Sequence, residues 1–237
     1  MSDKKSKVLI TGGTGGLGEA VTRDFLNGQS IVAVSYTRER TFSDMASRLE
    51  ADPSRLIGVA ANVLDSTSVD AMVHEVEDRL GGIDTFIHLV GGYLGGVSIQ
   101  DTGDEQWFKM MSLNLTSVFF CCRAVLSSMI RAGSGTIITI GTKSALRGES
   151  GTAAYSASKS ALINFTESLA AEGKKHDIRA NVVIPSIIDT PANRSAMPSA
   201  NFSHWVAPSS IARVLRFLAS AEARDISGSV VPVYGRT

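Results

Sequence analysis

Three observations predict an α/β fold in which one sheet of seven parallel strands is covered by helices on both faces. Short β-branched runs, apolar on both sides, alternate with helical patterns from end to end. Runs of that kind are buried on both faces, as parallel strands under crossover helices are. A glycine-rich turn, Thr11-Gly12-Gly13-Thr14-Gly15-Gly16-Leu17-Gly18, follows the first run directly and opens a helix, which is the local pattern of a doubly wound, Rossmann-type sheet. Finally, 237 residues with 43% hydrophobic and 19% charged content suffice for one well-buried domain, expected here over residues 1–237.

Strands are expected at Val8–Thr11, Ile31–Tyr36, Leu56–Ala60, Ile83–Leu89, Thr136–Ile140, Ala180–Ile184 and Val230–Val233. Each is a short β-branched run bounded by turn residues. Helices are expected at about Leu17–Asn27, Phe42–Leu49, Ser66–Leu80, Asp104–Arg131, Ala153–Lys175 and Ser209–Ala221. Gly28, Pro53 and Gly81-Gly82 stand where the first three helices should stop. Thr102-Gly103-Asp104-Glu105 has the spacing of a capping box. The segment from Thr190 to Pro208, rich in Pro, Ser, Asn and Met, is expected to be an irregular lid, since long loops in compact domains are more often functional than slack.

Composition excludes several function classes. Lys plus Arg number 23 and Asp plus Glu number 23, so there is no electrostatic case for nucleic acid or an anionic membrane surface. The opening Met1-Ser2-Asp3-Lys4-Lys5-Ser6-Lys7 runs into an apolar stretch too short for a signal peptide. No run is expected to approach the roughly 18 apolar residues of a membrane span. Cys121 and Cys122, the only cysteines, sit in an apolar helical pattern and read as core thiols of a cytoplasmic protein. No Cys/His cluster has metal-ligand spacing, and no metal is expected.

The glycine turn is suited to a dinucleotide. Missing side chains let the backbone approach a pyrophosphate, whose charge a helix N-terminus favours. Gly12, Thr14, Gly15, Gly16, Leu17 and Gly18 are the candidate contacts. At the end of the second strand, Tyr36-Thr37-Arg38-Glu39-Arg40 has no acid at its tip to hold a ribose 2′-hydroxyl. Thr37, Arg38 and Arg40 can reach a 2′-phosphate, which favours NADP(H) and leaves NAD(H) open; the alternative is that the arginines are solvated surface charges. Asn62-Val63 ends the third strand, where Asn62 could meet the adenine edge or simply make a turn. His88 ends the fourth and reads as a structural histidine. Gly91 and Gly92 behind it would let the chain pass close to the nicotinamide ribose.

Tyr155-x-x-x-Lys159 carries the chemistry. Residues four apart share a helix face, so phenol and ammonium can meet. A nearby cation is expected to pull the phenol down from its usual pH of about 10 towards neutrality.

These residues resemble the short-chain dehydrogenase/reductase family over essentially the whole chain. The landmarks are Gly12-x-x-x-Gly16-x-Gly18, Gly91, Asn114, Tyr155-x-x-x-Lys159, Pro185 and Thr190-Pro191, in that order. The resemblance implies Tyr155 as general acid/base and Lys159 as its pKa-lowering partner on the nicotinamide ribose. It also implies Asn114 in a proton relay, with backbone near Ile188 and the Thr190 hydroxyl fixing the carboxamide. The family's serine, thirteen residues before the tyrosine, is here Thr142, with Ser144 able to substitute if the loop bends favourably. The Asn-Asn-Ala-Gly turn is replaced by His88-Leu89-Val90-Gly91, and Ser186 follows Pro185 where glycine is common. Val90–Gly96, Gly141–Leu146, Asp189–Arg194 and Met197–Trp205 look locally like dihydropteridine reductase, a branch that prefers NADH. The implied activity is NADP(H)-dependent hydride transfer on a small carbonyl or alcohol, the alternatives being quinonoid pterin reduction and non-catalytic NADP sensing. Tyr93, Phe202 and Trp205 either line a pocket or pack the lid; Trp107, Phe108, Met110 and Met111 read as core or subunit contact. The resemblance implies a homodimer or homotetramer built on the long helix and the Tyr155 helix.

Overall fold

The computed structural model describes residues 5–236, so Met1–Lys4 of the opening segment and Thr237 lie outside it. Its seven strands are β1 (Lys7–Thr11), β2 (Ile31–Tyr36), β3 (Leu56–Ala60), β4 (Thr85–His88), β5 (Gly135–Ile140), β6 (Ile178–Pro185) and β7 (Val230–Val233). They form one sheet in the order β3-β2-β1-β4-β5-β6-β7, with every pair parallel. Winding reverses between β1 and β4, which pair with Thr11 opposite His88. The crevice beyond those two strand ends is where such sheets bind ligands.

The helices are α1 (Gly16–Asn27), α2 (Glu39–Leu49), α3 (Ser66–Leu80), α4 (Asp104–Met111), α5 (Ser117–Ala132), α6 (Ala153–Gly173), α7 (Pro191–Ala196) and α8 (Pro208–Ala219). Successive strand residues point to opposite faces, and the sheet therefore has two cores. Val8, Ile10, Val32 and Val34 pack under Val21, Phe25, Met45, Ile211 and Leu215 of α1, α2 and α8. Leu9, Ala33, Phe86 and Ile137 pack under Val69, Met72, Val118, Val125 and Leu162 of α3, α5 and α6. Each of these side chains other than Ala33 stabilises the fold by about 1.5–3 kcal/mol on full burial.

Some boundaries differ from expectation. Helix α2 begins three residues early, at Glu39, because its first turn has no apolar residue to mark it. Only half of a capping box forms, one residue further on: the Gly103 N–H donates to Gln106 Oε1 at 3.1 Å, glycine has no side chain to return the bond, and Thr102 Oγ1 donates to Ser98 O instead. The segment from Thr190 to Pro208, expected to be irregular, is partly regular, holding α7 and a 3-10 turn at Phe202–His204. Thr190 N-caps α7 and Pro191 takes its first position, a start signal legible in Thr190-Pro191. The expectation of no span-like stretch is also corrected, since the continuous helical segment Asp104–Ala132 has the length and hydropathy of one. Val118, Cys121, Cys122, Val125 and Met129 on it are fully buried against the sheet; that burial accounts for their apolar character.

Gly12 adopts φ +75°, and a Cβ there would lie 3.0 Å from the Val90 amide nitrogen. A Cβ on Gly18 would run into the Gly12 carbonyl oxygen, and one on Gly13 would come within 2.7 Å of Val34 Cγ1. The turn is therefore welded between β2, the loop after β4 and its own helix. Gly18→Ala is expected to lower stability by about 1–3 kcal/mol, the usual cost of overpacking. Gly148→Ala, where an added Cβ meets nothing within 4 Å, should stay within about 0.5 kcal/mol of wild type. Urea unfolding of both variants checks the pair.

Candidate active site

Helix α6 carries Tyr155 and Lys159 one turn apart above the end of β5. Lys159 is almost fully buried, and its Nζ donates to the Ile140 carbonyl at 2.7 Å. Two residues beyond Ile140 stands buried Thr142, whose hydroxyl acts on the Tyr155 phenol and favours its charged form. Ser144 sits on the 3-10 turn Lys143–Leu146, with its Oγ 3.3 Å from Thr142 Oγ1. Tyr93 closes the other side, its ring 4.9 Å from that of Tyr155 and edge-on at 77°.

Burial dominates the electrostatics. It pushes Lys159 down to about 8, because removing water disfavours the charged form. It pushes Tyr155 up, with Thr142's hydrogen bond opposing and Tyr93 reinforcing the rise. The expected lowering of the phenol by Lys159 is thus corrected for the free chain. Helical spacing puts both groups on one face, but the ammonium is turned to the Ile140 carbonyl and desolvation wins.

Asn114 joins the pieces. It lies, fully buried, in a π turn, Ser112–Thr116, that links α4 to α5; such turns recur at functional sites. Its Oδ1 accepts from the Gly92 N–H at 2.9 Å, and its Nδ2 donates to Gly92 O at 3.1 Å and to Ser158 Oγ at 3.0 Å. Ser158 Oγ in turn donates to Tyr155 O. Both ends of the amide are therefore used to hold protein together, and Asn114 acts as a brace. A Cβ on Gly91 would lie 2.9 Å from Asn114 Oδ1 and 3.1 Å from Lys159 Nζ. Only glycine lets the loop pass here.

His88 is structural, as expected. Ser117 Oγ gives its proton to Leu113 O at 2.7 Å, leaving His88 Nε2 as donor to Ser117 at 3.2 Å. His88 Nδ1 then accepts from Thr11 Oγ1 at 2.9 Å. Complete burial, aided by the Lys159 charge, drives the imidazole down to about 3.

The nucleotide end is built around the turn. Helix α1 starts behind Gly15 with no side-chain cap, so its first N–H groups are free for a ligand. Beside Gly15 a Cβ would meet only Gly12 O, at 3.5 Å, while one on Gly16 would touch Thr190 at 3.2 Å. Thr14 and Leu17 complete the turn. At the β2 tip, Thr37 and Arg38 are exposed and Arg38 N-caps α2. Arg40 points along α2 to Asp44 at 3.7 Å. The Tyr36 ring stacks on Phe42 at 5.5 Å, a packing role that its sequence position did not announce. Asn62 makes a turn, its Oδ1 accepting from Leu64 N at 3.1 Å, and Val63 is buried in the core. Pro185 ends β6, and Ile188 bridges to Val206. Ile188 O accepts from Thr190 N and Asn193 Nδ2, while Thr190 Oγ1 accepts from Asn193 N at 3.3 Å.

The lid aromatics divide. Arg194 pairs with Asp189 through both guanidinium arms and lies 4.7 Å over the Phe202 ring, which packs 4.7 Å from Trp205. Trp205 is 8% exposed. Phe202 and Trp205 are therefore lid packing, and Tyr93 alone stands at the site. Two elements escaped the sequence: Ser158, legible only as the third residue after Tyr155, and the Ile140 carbonyl, which leaves no trace in a side-chain pattern.

The model of short chain dehydrogenases matches residues 6–201. The chain belongs to the short-chain dehydrogenase family. It is similar to the meso-2,3-butanediol dehydrogenase of Serratia marcescens, 30% identical over 96% of this chain and 92% of that protein. It is also similar to the 2,3-dihydro-2,3-dihydroxybenzoate dehydrogenase of Bacillus subtilis, 32% identical over 92% and 90% of the two chains. Among solved structures, a variant of actinorhodin polyketide ketoreductase with NADPH superposes with a TM-score of 0.91. That chain is 25% identical, with 98% of this one and 96% of it covered. The protein is thus an oxidoreductase of this family. Its relatives are named for diol and keto substrates, not for dihydropteridine, and the local pteridine-reductase resemblance is corrected accordingly. The same relatives are enzymes, which removes the non-catalytic sensor.

Because His88 is neutral when folded and takes a proton when unfolded, its share of stability is present above about pH 6.5. That share is lost as pH falls towards about 3. His88→Gln should flatten the acid limb of the stability profile between those values, measured by thermal unfolding across the range.

Proposed function

We propose that this short-chain dehydrogenase transfers a hydride between NADP(H) and a small carbonyl or alcohol, with Tyr155 carrying the proton. One observation supports this above all others: the buried Lys159 ammonium stands beside the Gly91 passage, one helical turn from the Tyr155 phenol, which has the Thr142 and Ser144 hydroxyls next to it. The cradle fits a dinucleotide, because its glycines leave no room for side chains and its helix start has free N–H groups. NADP(H), when bound, supplies or accepts the hydride.

The residues of the chain do the rest. Lys159 and the Gly91 passage hold the ribose side, and the free N–H groups behind Gly15 hold the pyrophosphate. Thr142 donates to the reacting oxygen, where charge develops in the transition state. Burial keeps Tyr155 protonated near neutral pH, the form that delivers a proton to a carbonyl oxygen on reduction. Oxidation runs the same transfer backwards and is favoured by higher pH. Asn114 holds the Gly92 loop against α6 so that these groups keep their spacing.

NADP(H) is favoured over NAD(H) by the β2 tip, where Thr37 and Arg38 are exposed and no acid stands. The ketoreductase of similar structure was solved with NADPH. Butanediol and dihydroxybenzoate dehydrogenases among the relatives favour an alcohol or carbonyl substrate. The enzyme works in the cytoplasm as a homodimer or homotetramer. Phe108 and Phe119, exposed on α4 and α5, supply apolar surface for that contact.

Two measurements test this. Tyr155→Phe should cut NADPH-dependent kcat by about a hundredfold or more, with the Kd for NADPH within about twofold of wild type because the phenol adds little to ground-state binding. Retained turnover would overturn the proton role. Arg38→Ala should raise the Kd for NADPH by about tenfold, the size of one charge-assisted contact, and leave NADH binding nearly unchanged. A wild type that prefers NADH would refute the phosphate assignment.

A further inference from the structure

We infer that the substrate carries oxygens on two adjacent carbons, as a vicinal diol, an α-hydroxy ketone or an α-dicarbonyl does. This rests on the hydride-transfer reading above and names its substrate class. The departure from serine at position 142 does not leave the site with one hydroxyl fewer; the turn that follows adds one. Thr142 is the hydroxyl neighbour of the Tyr155 phenol, and Ser144 Oγ stands 3.3 Å from Thr142 Oγ1. That separation is long for an O–H···O bond, whose usual length is about 2.8 Å, so the two hydroxyls lose little by exchanging each other for a ligand. Oxygens on adjacent carbons, when gauche, are about as far apart as a hydrogen-bonded oxygen pair, about 2.8 Å. They match the Thr142–Ser144 pair one to one.

The second hydroxyl is held in place. Ala145 N donates to Thr142 O at 3.1 Å, closing the 3-10 turn, and Ser160 Oγ of α6 donates to Ala145 O at 2.6 Å. On its other side Lys143 lies 5.2 Å over the Tyr234 ring. Ser144 is thus presented, half-buried, on a turn anchored at three points, with its Oγ beside Thr142 Oγ1. A preorganised donor costs no ordering when substrate arrives. Tyr93, 68% exposed, stands edge-on to Tyr155 beside the pair.

In the oxidative direction the chemistry closes without another reactant. The C–H bond of one carbinol breaks and its electron pair leaves with the hydrogen as hydride to NADP⁺. The proton of that hydroxyl passes to the Tyr155 phenolate, and the carbon–oxygen double bond forms. The neighbouring oxygen keeps its bonds and is held by Ser144. Reduction of an α-hydroxy ketone is the reverse.

The test compares ketones that differ by one adjacent hydroxyl: acetoin against butanone, and benzoin against deoxybenzoin. In at least one pair the hydroxylated member should show kcat/KM about tenfold higher, mostly through KM, the size of one substrate hydrogen bond. Ser144→Ala should bring that ratio to within about twofold of unity, and Ser144→Thr should restore most of it. A second readout is calorimetric binding of the same ligands to NADPH-loaded Tyr155→Phe, which should show the same preference without turnover. Equal kcat/KM within both pairs, or a preference that survives Ser144→Ala, overturns the inference. If NADPH binds and no ketone turns over, the hydride-transfer reading itself fails. The calorimetric ratio then decides the substrate class alone, and equal affinities reject it.

Discussion

The Asn114 side chain is the joint on which the site depends. Three of its hydrogen bonds tie together elements that share no strand pairing: the loop after β4 through Gly92, and α6 through Ser158. An amide left unpaired at zero exposure would cost about 1–3 kcal/mol per lost partner, so the joint cannot loosen by halves. The π turn that aims Asn114 inward gives up ideal helix geometry in the middle of a 29-residue helical run. What the fold gains is a fixed distance between the glycine loop and the helix of Tyr155 and Lys159.

Around that joint the interior carries an unusual polar load. Lys159, His88, Asn114, Ser117 and Ser158 are all buried, and each is satisfied by a named partner. Desolvation sets their protonation: the imidazole is neutral, the ammonium is weakened to about 8, and the phenol is held protonated. A positive charge at Lys159 and a second one at His88 would repel, and keeping His88 neutral avoids this. His88, read from the sequence as structural, supports the lysine's surroundings in that role.

The segment after Thr190 packs beside the glycine turn. Thr190 touches the position of a Gly16 Cβ while its hydroxyl caps α7. The lid is then held down by the Ile188–Val206 bridge and the nearly buried Trp205. The Asp189–Arg194 pair is solvent-exposed, and water screens most of its attraction. Apolar packing, not the ion pair, is what orders this segment, so the pocket edge is set before a ligand arrives.

Periodicity and punctuation determined the architecture unaided. Alternating apolar runs fixed seven strands, the glycine turn fixed where the first crossover begins, and the i, i+4 spacing fixed Tyr155 and Lys159 on one face. These are local consequences of backbone geometry and could be read one segment at a time. Tertiary structure alone decided the rest. Which carbonyl receives the Lys159 ammonium, how a Tyr36 ring finds Phe42, and which groups the Asn114 amide ties together all depend on atoms far apart in the chain. So does the direction of the Tyr155 shift, because helical spacing gives a distance along one surface while desolvation depends on everything packed above it.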